Sequence, residues 1–265
     1  MTADRPGAPG QGARVLVVVP TYDERASLPR ALAALREHVP DADVLVVDDA
    51  SPDGTGALAE DLAARDADER GRRAFHVLHR AGKQGLGTAY VAGFRWALER
   101  GYDVVVEMDA DGSHRAEDLP RLLARVPDAE LVIGSRWVRG GRVVNWPLHR
   151  QLLSRGANVY AWIAMGLPVR DATAGFRAYR ASTLGDLALD TVASHGYCFQ
   201  IDMAWRVLGV GGRVVEVPIT FVERAEGRSK MSRSIVVEAL VKVTVWGAHH
   251  RVQQVRSLAR RLRRG

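Results

Sequence analysis

The chain has 265 residues, of which 47% are hydrophobic and 26% charged, and its formal net charge is +6 at pH 7. These proportions are ordinary for a globular protein, and the positive charge favours an anionic partner such as nucleic acid, a phosphorylated small molecule or a lipid surface. The single cysteine, Cys198, excludes an intrachain disulfide and fits a reducing cytoplasm. No uninterrupted run of about 18 apolar residues occurs, so no membrane-spanning helix is predicted.

The chain is predicted to hold one domain with a segment at each end. Residues 1–13 are rich in glycine and proline and lack an apolar run, which predicts a disordered tail and not a signal peptide. Residues 14–230 form the predicted domain. Residues 231–265 are predicted to form a basic amphipathic helix that is part of this domain or appended to it. The last twenty residues contain six arginines and no acid, typical either of a solvated helix face or of one that contacts an anionic membrane.

Strands and helices alternate through the first half of the domain. Apolar, β-branched runs predict strands at 14–20, 44–47, 75–78, 131–133 and from 104 onward. Helices are predicted at 27–38, 88–99 and 117–126, with another that ends near 65 and is followed by a charged loop at 66–73. This alternation predicts an α/β fold, a mostly parallel twisted sheet with helices on both faces.

The regular alternation ends after residue 136. Residues 139–145 are predicted to be a loop, and 148–166 a helix that is apolar on more than one side. We interpret this helix as a core helix, with contact to lipid as the alternative. Further helices are predicted to begin at 182 and at 199. A strand at 213–218 follows, with 219–222 as its candidate continuation.

Two carboxylates separated by one residue follow the strand that begins at Val104. Side chains at positions i and i+2 of an extended backbone point the same way, so Asp109 and Asp111 can converge on one cation. Gly112 permits a sharp turn beside them. Oxygen ligands suit Mg²⁺ or Mn²⁺, and Mg²⁺ is usually held by one or two carboxylates together with substrate phosphates. The alternative is that Asp-Ala-Asp-Gly is only a polar turn.

Polar clusters follow all five of these predicted strands. Since ligands of such sheets bind outside the carboxyl ends of the strands, the clusters are predicted to line one crevice. Acid pairs can hold a cation and sugar hydroxyls, and basic groups can hold phosphates, so the mixture suits a metal-bound nucleotide diphosphate. The clusters are Thr21 to Glu24, Asp48 with Asp49, Arg80 with Lys83, Asp109 with Asp111, and Ser135 with Arg136.

A longer series of motifs runs through nearly the whole chain in a specific order. The series is Pro20-Thr21-Tyr22-Asp23-Glu24, Val47-Asp48-Asp49, Gly85-Leu86-Gly87-Thr88-Ala89-Tyr90, Met108 to His114, Gly134-Ser135-Arg136-Trp137, Asn145-Trp146-Pro147, Ser154 to Asn158, Asp171 to Arg177, Gln200-Ile201-Asp202-Met203 and Val217-Pro218-Ile219. Together these motifs resemble the inverting family 2 glycosyltransferases, and within them the dolichyl-phosphate (polyprenyl-phosphate) mannosyltransferases.

The resemblance implies a nucleotide-diphospho-sugar transferase (GT-A) fold, with GDP-mannose as donor, a polyprenyl (dolichyl) phosphate as acceptor and Mg²⁺ or Mn²⁺ as cofactor. It implies metal binding by Asp109 and Asp111, with Ser113 as a candidate third ligand where the family often has Gln. Asp111, Arg136 and Arg150 are the implied catalytic residues. The implied substrate-binding residues are Pro20, Thr21, Tyr22, Glu24, Asp49, Lys83, Asp109, Ala110, Ser135, Ser154, Arg155, Asp171, Gln200, Asp202, Arg224, Ser229 and Lys230.

Alternatives to this function are glucosyl transfer from UDP-glucose to a polyprenyl phosphate, mannosyl transfer to a soluble acceptor, and a non-catalytic nucleotide-binding membrane scaffold. The expected location is the cytoplasmic face of a membrane, with peripheral attachment. A separate membrane-spanning protein is a candidate partner, because some family members carry C-terminal spans. Nucleic acid is not an expected partner, since no recognised nucleic-acid-binding motif occurs.

Overall fold

Seven strands form a mixed sheet with helices on both faces. The structure is a computed structural model and describes residues 12–192, 197–223 and 243–247. The strands are β1 (Val15–Thr21), β2 (Asp43–Asp48), β3 (Phe75–His79), β4 (Val104–Glu107), β5 (Leu131–Ser135), β6 (Arg142–Val144), β7 (Arg177–Arg180), β8 (Val214–Pro218) and β9 (Thr220–Val222). The helices are α1 (Leu28–His38), α2 (Thr55–Arg70), α3 (Leu86–Glu99), α4 (Leu119–Leu123), α5 (Leu148–Met165), α6 (Ala181–Asp186) and α7 (Tyr197–Gly209).

The strand order of the sheet is β3-β2-β1-β4-β7-β5-β8. Neighbouring strands are parallel except at β7, which is antiparallel to both β4 and β5. Because β4 and β5 are both antiparallel to β7, they run in the same direction as each other. The carboxyl ends of β1 to β5 therefore meet at one edge of the sheet. This architecture confirms the predicted α/β fold class with its mostly parallel sheet.

The core has two layers because side chains of a strand alternate between the sheet faces. Leu16 and Val18 of β1 pack on one side, with Phe94 of α3 and with α6 and α7. Val17 and Val19 pack on the other side, with α1, α2 and α4. All of these β1 side chains are fully buried. Each buried Val or Leu side chain stabilises the fold by about 1.5–3 kcal/mol, so strand and layer order are strongly specified.

Strand β7 is not predicted by the sequence pattern, because two of its four residues are arginines. Arg177 is nonetheless fully buried. Its guanidinium group donates hydrogen bonds of 2.7 Å to the main-chain carbonyls of Ala172, Ala174 and Gln200. These carbonyls compensate the cost of burying the charge. Two of them lie in the loop just before β7, and only that of Gln200 on α7 is distant in sequence.

Two predicted boundaries are wrong because tertiary contacts extend or shorten helices. Helix α2 continues to Arg70, through most of the predicted 66–73 loop. Asp66 is buried there and accepts a 2.6 Å hydrogen bond from Arg36 of α1. Gly71, with φ of +65°, ends the helix. The predicted helix at 117–126 is reduced to α4, with a short 3-10 turn before it and another after it.

A second, two-stranded sheet lies beside the main one. The predicted loop at 139–145 contains β6, which pairs in parallel with β9. Residues 219–222 are therefore not a simple continuation of β8, since β9 leaves the main sheet after Pro218. This small sheet is joined to the β4 loop by the Val222 N–H, which donates to the carbonyl of Ser113 at 3.2 Å.

The interpretation of 148–166 as a core helix is wrong. Only Asn158, Ala161 and Met165 of α5 are buried. Leu148 is 70% exposed and Trp162 57%. The apolar residues on more than one side of this helix reflect an exposed apolar face in addition to a buried one.

Several predictions lie outside the described residues. They concern most of the 1–13 tail, nearly all of the 231–265 helix, and Arg224, Ser229 and Lys230. The boundaries at 14–230 and 231–265 remain predictions. Among the described residues, none of the helices combines the length and hydropathy that crossing a membrane requires.

Candidate functional site

The carboxyl ends of the parallel strands bring the predicted polar clusters to one edge of the sheet, and the surface at this edge is the candidate crevice. Thr21 ends β1, Asp48 ends β2 and Ser135 ends β5, while Asp109 lies two residues after β4. The strand directions thus place residues from four separate motifs along the same edge. Pro20 is at this end of β1, and Ala110 is buried behind the β4 loop.

A buried polar contact joins the ends of β1 and β2. The Thr21 hydroxyl donates to Asp48 Oδ1 at 2.9 Å. Ser51 adds its backbone N–H at 3.1 Å and its hydroxyl at 2.6 Å to the same carboxylate. A Cβ at Gly56 would lie 2.8 Å from Asp48 Oδ2, so a larger residue at this position would force the carboxylate to shift. Asp48 therefore orders the loop after β2, a role that its place in the sequence does not predict.

Several of the implied substrate-binding residues lie around this contact. Asp49 is buried and forms a 2.6 Å ion pair with Arg80. Burial raises the pKa of Asp49, and Arg80 opposes that shift. The Lys83 ammonium lies 3.9 Å above the centre of the Tyr22 ring. Glu24 Oε2 accepts a 2.7 Å hydrogen bond from the Ser27 hydroxyl.

The aspartate pair after β4 is oriented by three hydrogen bonds. Asp109 Oδ1 accepts from the Tyr90 hydroxyl at 3.0 Å, and the Asp109 N–H donates to His114 Nδ1 at 3.0 Å. The Ser113 N–H donates to Asp111 Oδ1 at 3.0 Å. Both carboxylates are partly exposed to the crevice. Tyr90 and His114 both stand in the motifs that carry the family resemblance, but the sequence pattern predicts no role for either.

The carboxylate oxygens of Asp109 and Asp111 suit a divalent cation whose remaining coordination positions are filled by a bound substrate. Asp109 and Asp111 supply hard oxygen donors, which Mg²⁺ and Mn²⁺ prefer. The part of the chain that the structure describes contains no cluster of three or more His, Cys, Asp or Glu able to hold a metal. Phosphate oxygens of a substrate would then complete the coordination. Ser113 as a third ligand remains a prediction.

A buried network lies beneath the aspartates. Glu107 is fully buried and accepts a 2.7 Å hydrogen bond from Gln200 Nε2. Burial raises the pKa of Glu107 to about 7, although Arg177 opposes the shift. Asp202 Oδ1 accepts a 2.8 Å hydrogen bond from Arg206, one helical turn later on α7. The two implied substrate-binding residues of α7, Gln200 and Asp202, therefore each have a partner within the protein.

Arg136 at the end of β5 is bound to Asp171. Its Nε and Nη2 donate to the two carboxylate oxygens at 2.8 and 2.6 Å, and its backbone N–H donates at 2.9 Å. Arg136 is 5% exposed and Asp171 0%. Thr173 and Asn158 complete the cluster. Arg136 is an implied catalytic residue, but direct contact of its guanidinium with a phosphate would have to compete with this bidentate pair. The geometry of the pair therefore favours a positioning role for Arg136.

Arg150 and its neighbours form the more accessible basic part of the crevice. Arg150 pairs with Glu223, and its guanidinium lies 4.8 Å from the Trp146 ring centre. Arg155 lies over Trp137 at 4.6 Å. Three buried hydrogen-bond donor groups of this part of the crevice have no hydrogen-bond partner within the described residues. They are Arg150 Nε, Trp137 Nε1 and the Ser154 hydroxyl. Ser135 is fully buried, and its hydroxyl accepts from the Trp137 N–H at 3.4 Å.

The sequence and fold are similar to those of glycosyltransferases. Residues 16–187 match the Glycosyl transferase family 2 profile. The undecaprenyl-phosphate mannosyltransferase of Micrococcus luteus is 58% identical over 244 residues, which cover 92% of this chain and 98% of the relative. The polyprenol monophosphomannose synthase of Mycolicibacterium smegmatis is 52% identical over 248 residues, covering 93% and 92%.

A solved structure shares the fold at low sequence identity. It is a mannosyltransferase from Pyrobaculum calidifontis in complex with GDP-Man and Mn²⁺. The TM-score is 0.51 and the identity 22%, over 84% of this chain and 60% of that one.

Proposed function

The chain belongs to glycosyl transferase family 2 and, within it, to the polyprenyl-phosphate mannosyltransferases, and from this premise we propose the donor, the metal and the residue roles of its reaction. The reaction is transfer of mannose to the phosphate of a polyprenyl phosphate. We propose that the donor is GDP-mannose and that a divalent cation, Mg²⁺ or Mn²⁺, takes part. The GDP-Man and Mn²⁺ bound to the mannosyltransferase of similar fold support both proposals.

The observation that carries the proposal is an acidic pair and a basic set on one edge of the sheet. Asp109 and Asp111 follow β4, Arg136 follows β5, and only β7 separates the two strands. A reaction between two anionic substrates needs both the acidic pair and the basic set. The carboxylates would hold a metal on the donor diphosphate, and the basic set would hold the acceptor phosphate.

The buried hydrogen-bond donor groups of the basic set support a phosphate site there. A buried donor without a partner costs about 1–3 kcal/mol, so such groups call for an explanation. Arg150, Ser154 and Trp137 each present one. A bound phosphate has enough acceptor oxygens for all three groups, and a guanidinium binds it in a defined geometry. We assign Arg150 and Ser154 to the acceptor phosphate and Arg136 to positioning them.

The inverting reaction needs no general base from the protein. An acceptor phosphate oxygen forms a bond to the anomeric carbon while the bond to the GDP oxygen breaks, and GDP leaves with that electron pair. A metal held by Asp109 and Asp111 would neutralise the charge that develops on the leaving diphosphate. A phosphate monoester carries about −1.5 to −2 charges at neutral pH, so no proton has to be removed. The Arg206 bond to Asp202 is consistent with a structural role for that acid.

The proposal is tested by transfer of radiolabelled mannose from GDP-mannose to a polyprenyl phosphate in detergent, with and without Mn²⁺ or Mg²⁺. We expect metal-dependent formation of a mannosyl-phospho-lipid that Asp111→Ala abolishes. Asp202→Asn is expected to keep more activity than Asp111→Ala. Asp186→Ala is the matched control, because Asp186 is an exposed acid on α6.

Each other outcome identifies what is wrong. Formation of product from UDP-glucose but not from GDP-mannose would refute GDP-mannose as the donor. Tight metal-dependent nucleotide binding without turnover would favour a non-catalytic scaffold. If Asp202→Asn reduced activity more than Asp111→Ala while donor binding stayed intact, the mechanism without a general base would be refuted.

A further inference from the structure

Two arginines of the crevice, Arg136 and Arg150, each have a carboxylate partner, but the two ion pairs differ in how firmly they are held. Asp171 is 0% exposed and accepts three hydrogen bonds from Arg136. Glu223 accepts a hydrogen bond from Arg150 Nη1, and the side chains of this pair are 30% and 17% exposed. Separating Arg136 from Asp171 would leave a buried charge unpaired, whereas the Glu223 carboxylate can move from Arg150 into solvent at little cost.

The main chain that carries Glu223 is fixed independently of its side chain. The Glu223 N–H donates to the carbonyl of Val144 on β6 at 3.0 Å, and the N–H of Val222 donates to the carbonyl of Ser113 at 3.2 Å. The carboxylate can therefore leave Arg150 by rotation of its side chain alone. Such rotations take picoseconds to nanoseconds at exposed positions.

Arg150 has contacts that hold it in position besides the one with Glu223. Its guanidinium lies 4.8 Å from the centre of the Trp146 ring, and its backbone N–H donates to the carbonyl of Pro147 at 3.0 Å in the first turn of α5. Gln151 Nε2 donates to the carbonyl of Trp146 at 3.0 Å and so fixes the residue on which the guanidinium rests. The main contribution of Glu223 to Arg150 is therefore a counter-charge and not an orientation.

Glu223 and an acceptor phosphate would compete for the same guanidinium. An arginine holds a phosphate best through two N–H groups. Glu223 takes up Nη1 of Arg150, while Arg150 Nε is buried and has no hydrogen-bond partner among the described residues. A phosphate bound at Nε beside the carboxylate would place two like charges on one guanidinium, where they repel each other. Displacement of the carboxylate removes this repulsion and frees Nη1 for the phosphate.

We propose that Glu223 is a displaceable counter-anion, which occupies Arg150 when no acceptor is bound and thereby sets the affinity for the acceptor. The inference rests on the proposed function, because the displacing anion is the acceptor phosphate. The apparent affinity of Arg150 for phosphate is lowered in proportion to the fraction of molecules in which the arginine is free. The same factor weakens binding of the mannosyl-phospho-lipid product, whose phosphate meets the same arginine. Glu223 therefore raises the acceptor KM and speeds release of the product, a step that limits turnover in many enzymes.

The experiment measures binding of a short-chain prenyl monophosphate that dissolves without detergent. Isothermal titration calorimetry is performed on the full-length protein with Mn²⁺ and GDP present. Glu223→Gln keeps the size of the side chain and removes its charge, and it is expected to bind the ligand roughly fivefold more tightly than the unaltered protein. Glu223→Ala is the second variant, with the same expected direction. In initial-rate assays the acceptor KM of both variants should fall while the donor KM stays unchanged.

Asp128→Asn is the matched control for the loss of one negative charge. Asp128 pairs with Arg125 at the surface and precedes β5, so it lies at the end of the sheet opposite the crevice. Its affinity for the prenyl monophosphate should equal that of the unaltered protein.

Each outcome decides for or against the displaceable counter-anion. Tighter binding in both Glu223 variants supports it, since a damaged fold would weaken binding and not strengthen it. Weaker binding in Glu223→Gln would show that Glu223 orients Arg150, and unchanged binding would show that the carboxylate does not compete with the phosphate. Either result overturns the inference, and so does equal tightening by Asp128→Asn. If Arg150→Ala left the affinity unchanged, the assignment of Arg150 to the acceptor phosphate in the proposed function would be refuted as well.

Discussion

Replacing Asp171 by alanine should destabilise the protein strongly, because it leaves the Arg136 guanidinium buried without its counter-ion. Asp171 is 0% exposed, and its oxygens accept the Nε, Nη2 and backbone N–H of Arg136. Removing one partner of a buried ion pair typically costs about 3–5 kcal/mol. We therefore expect Asp171→Ala to lower the free energy of unfolding by about that amount, measured by urea denaturation with circular dichroism.

The control for this experiment is an ion pair of the same residue types at the surface. Arg125 Nε lies 3.0 Å from Asp128 Oδ2, with side chains that are 42% and 52% exposed. Asp128→Ala should cost no more than about 1 kcal/mol. Adding Arg136→Met to Asp171→Ala should recover part of the loss, since the buried charge is then removed as well. A cost for Asp171→Ala close to that of Asp128→Ala would refute the buried-pair account.

Three further predictions concern the crevice. Tyr90→Phe removes the hydroxyl that orients Asp109. The Mn²⁺ affinity in the presence of GDP should therefore fall by roughly fivefold, about 1 kcal/mol, as measured by electron paramagnetic resonance. Equal affinities of the variant and the unaltered protein would contradict this role. Arg150→Ala should raise the acceptor KM far more than the donor KM in initial-rate assays, and equal increases would count against the assignment to the acceptor phosphate. Glu107 has a pKa of about 7 in the fold, raised chiefly by burial from 4.5, so the folded state retains a proton that the unfolded state releases. Stability should therefore decrease by up to roughly 3 kcal/mol as pH rises from about 4.5 to 7 and then level off, and Glu107→Gln should lack this slope in urea titrations across pH; parallel curves for the two proteins would disprove the linkage.

The sequence alone determined the parallel part of the sheet and the ends of its strands. β1, β2 and β4 are short apolar runs rich in valine, a pattern that local residue preferences and burial on both faces impose. Polar residues follow each run, and parallel strands bring such ends to one edge. Asp109 and Asp111 were recognisable for the same local reason, since their spacing places both carboxylates on one side of an extended backbone.

The tertiary structure decided the features that depend on distant partners. Arg136 meets Asp171 across 35 positions of sequence, and no local pattern indicates that the guanidinium is bound within the protein. β7 is a strand because it pairs with both β4 and β5, and its buried Arg177 is accommodated in part by the carbonyl of Gln200 on α7. The apolar side of a helix can face the core or the solvent. The periodicity of the sequence does not show which of the two it faces. Only the packing of α5 shows which side meets the crevice, because burial is set by the neighbouring elements and not by the helix itself.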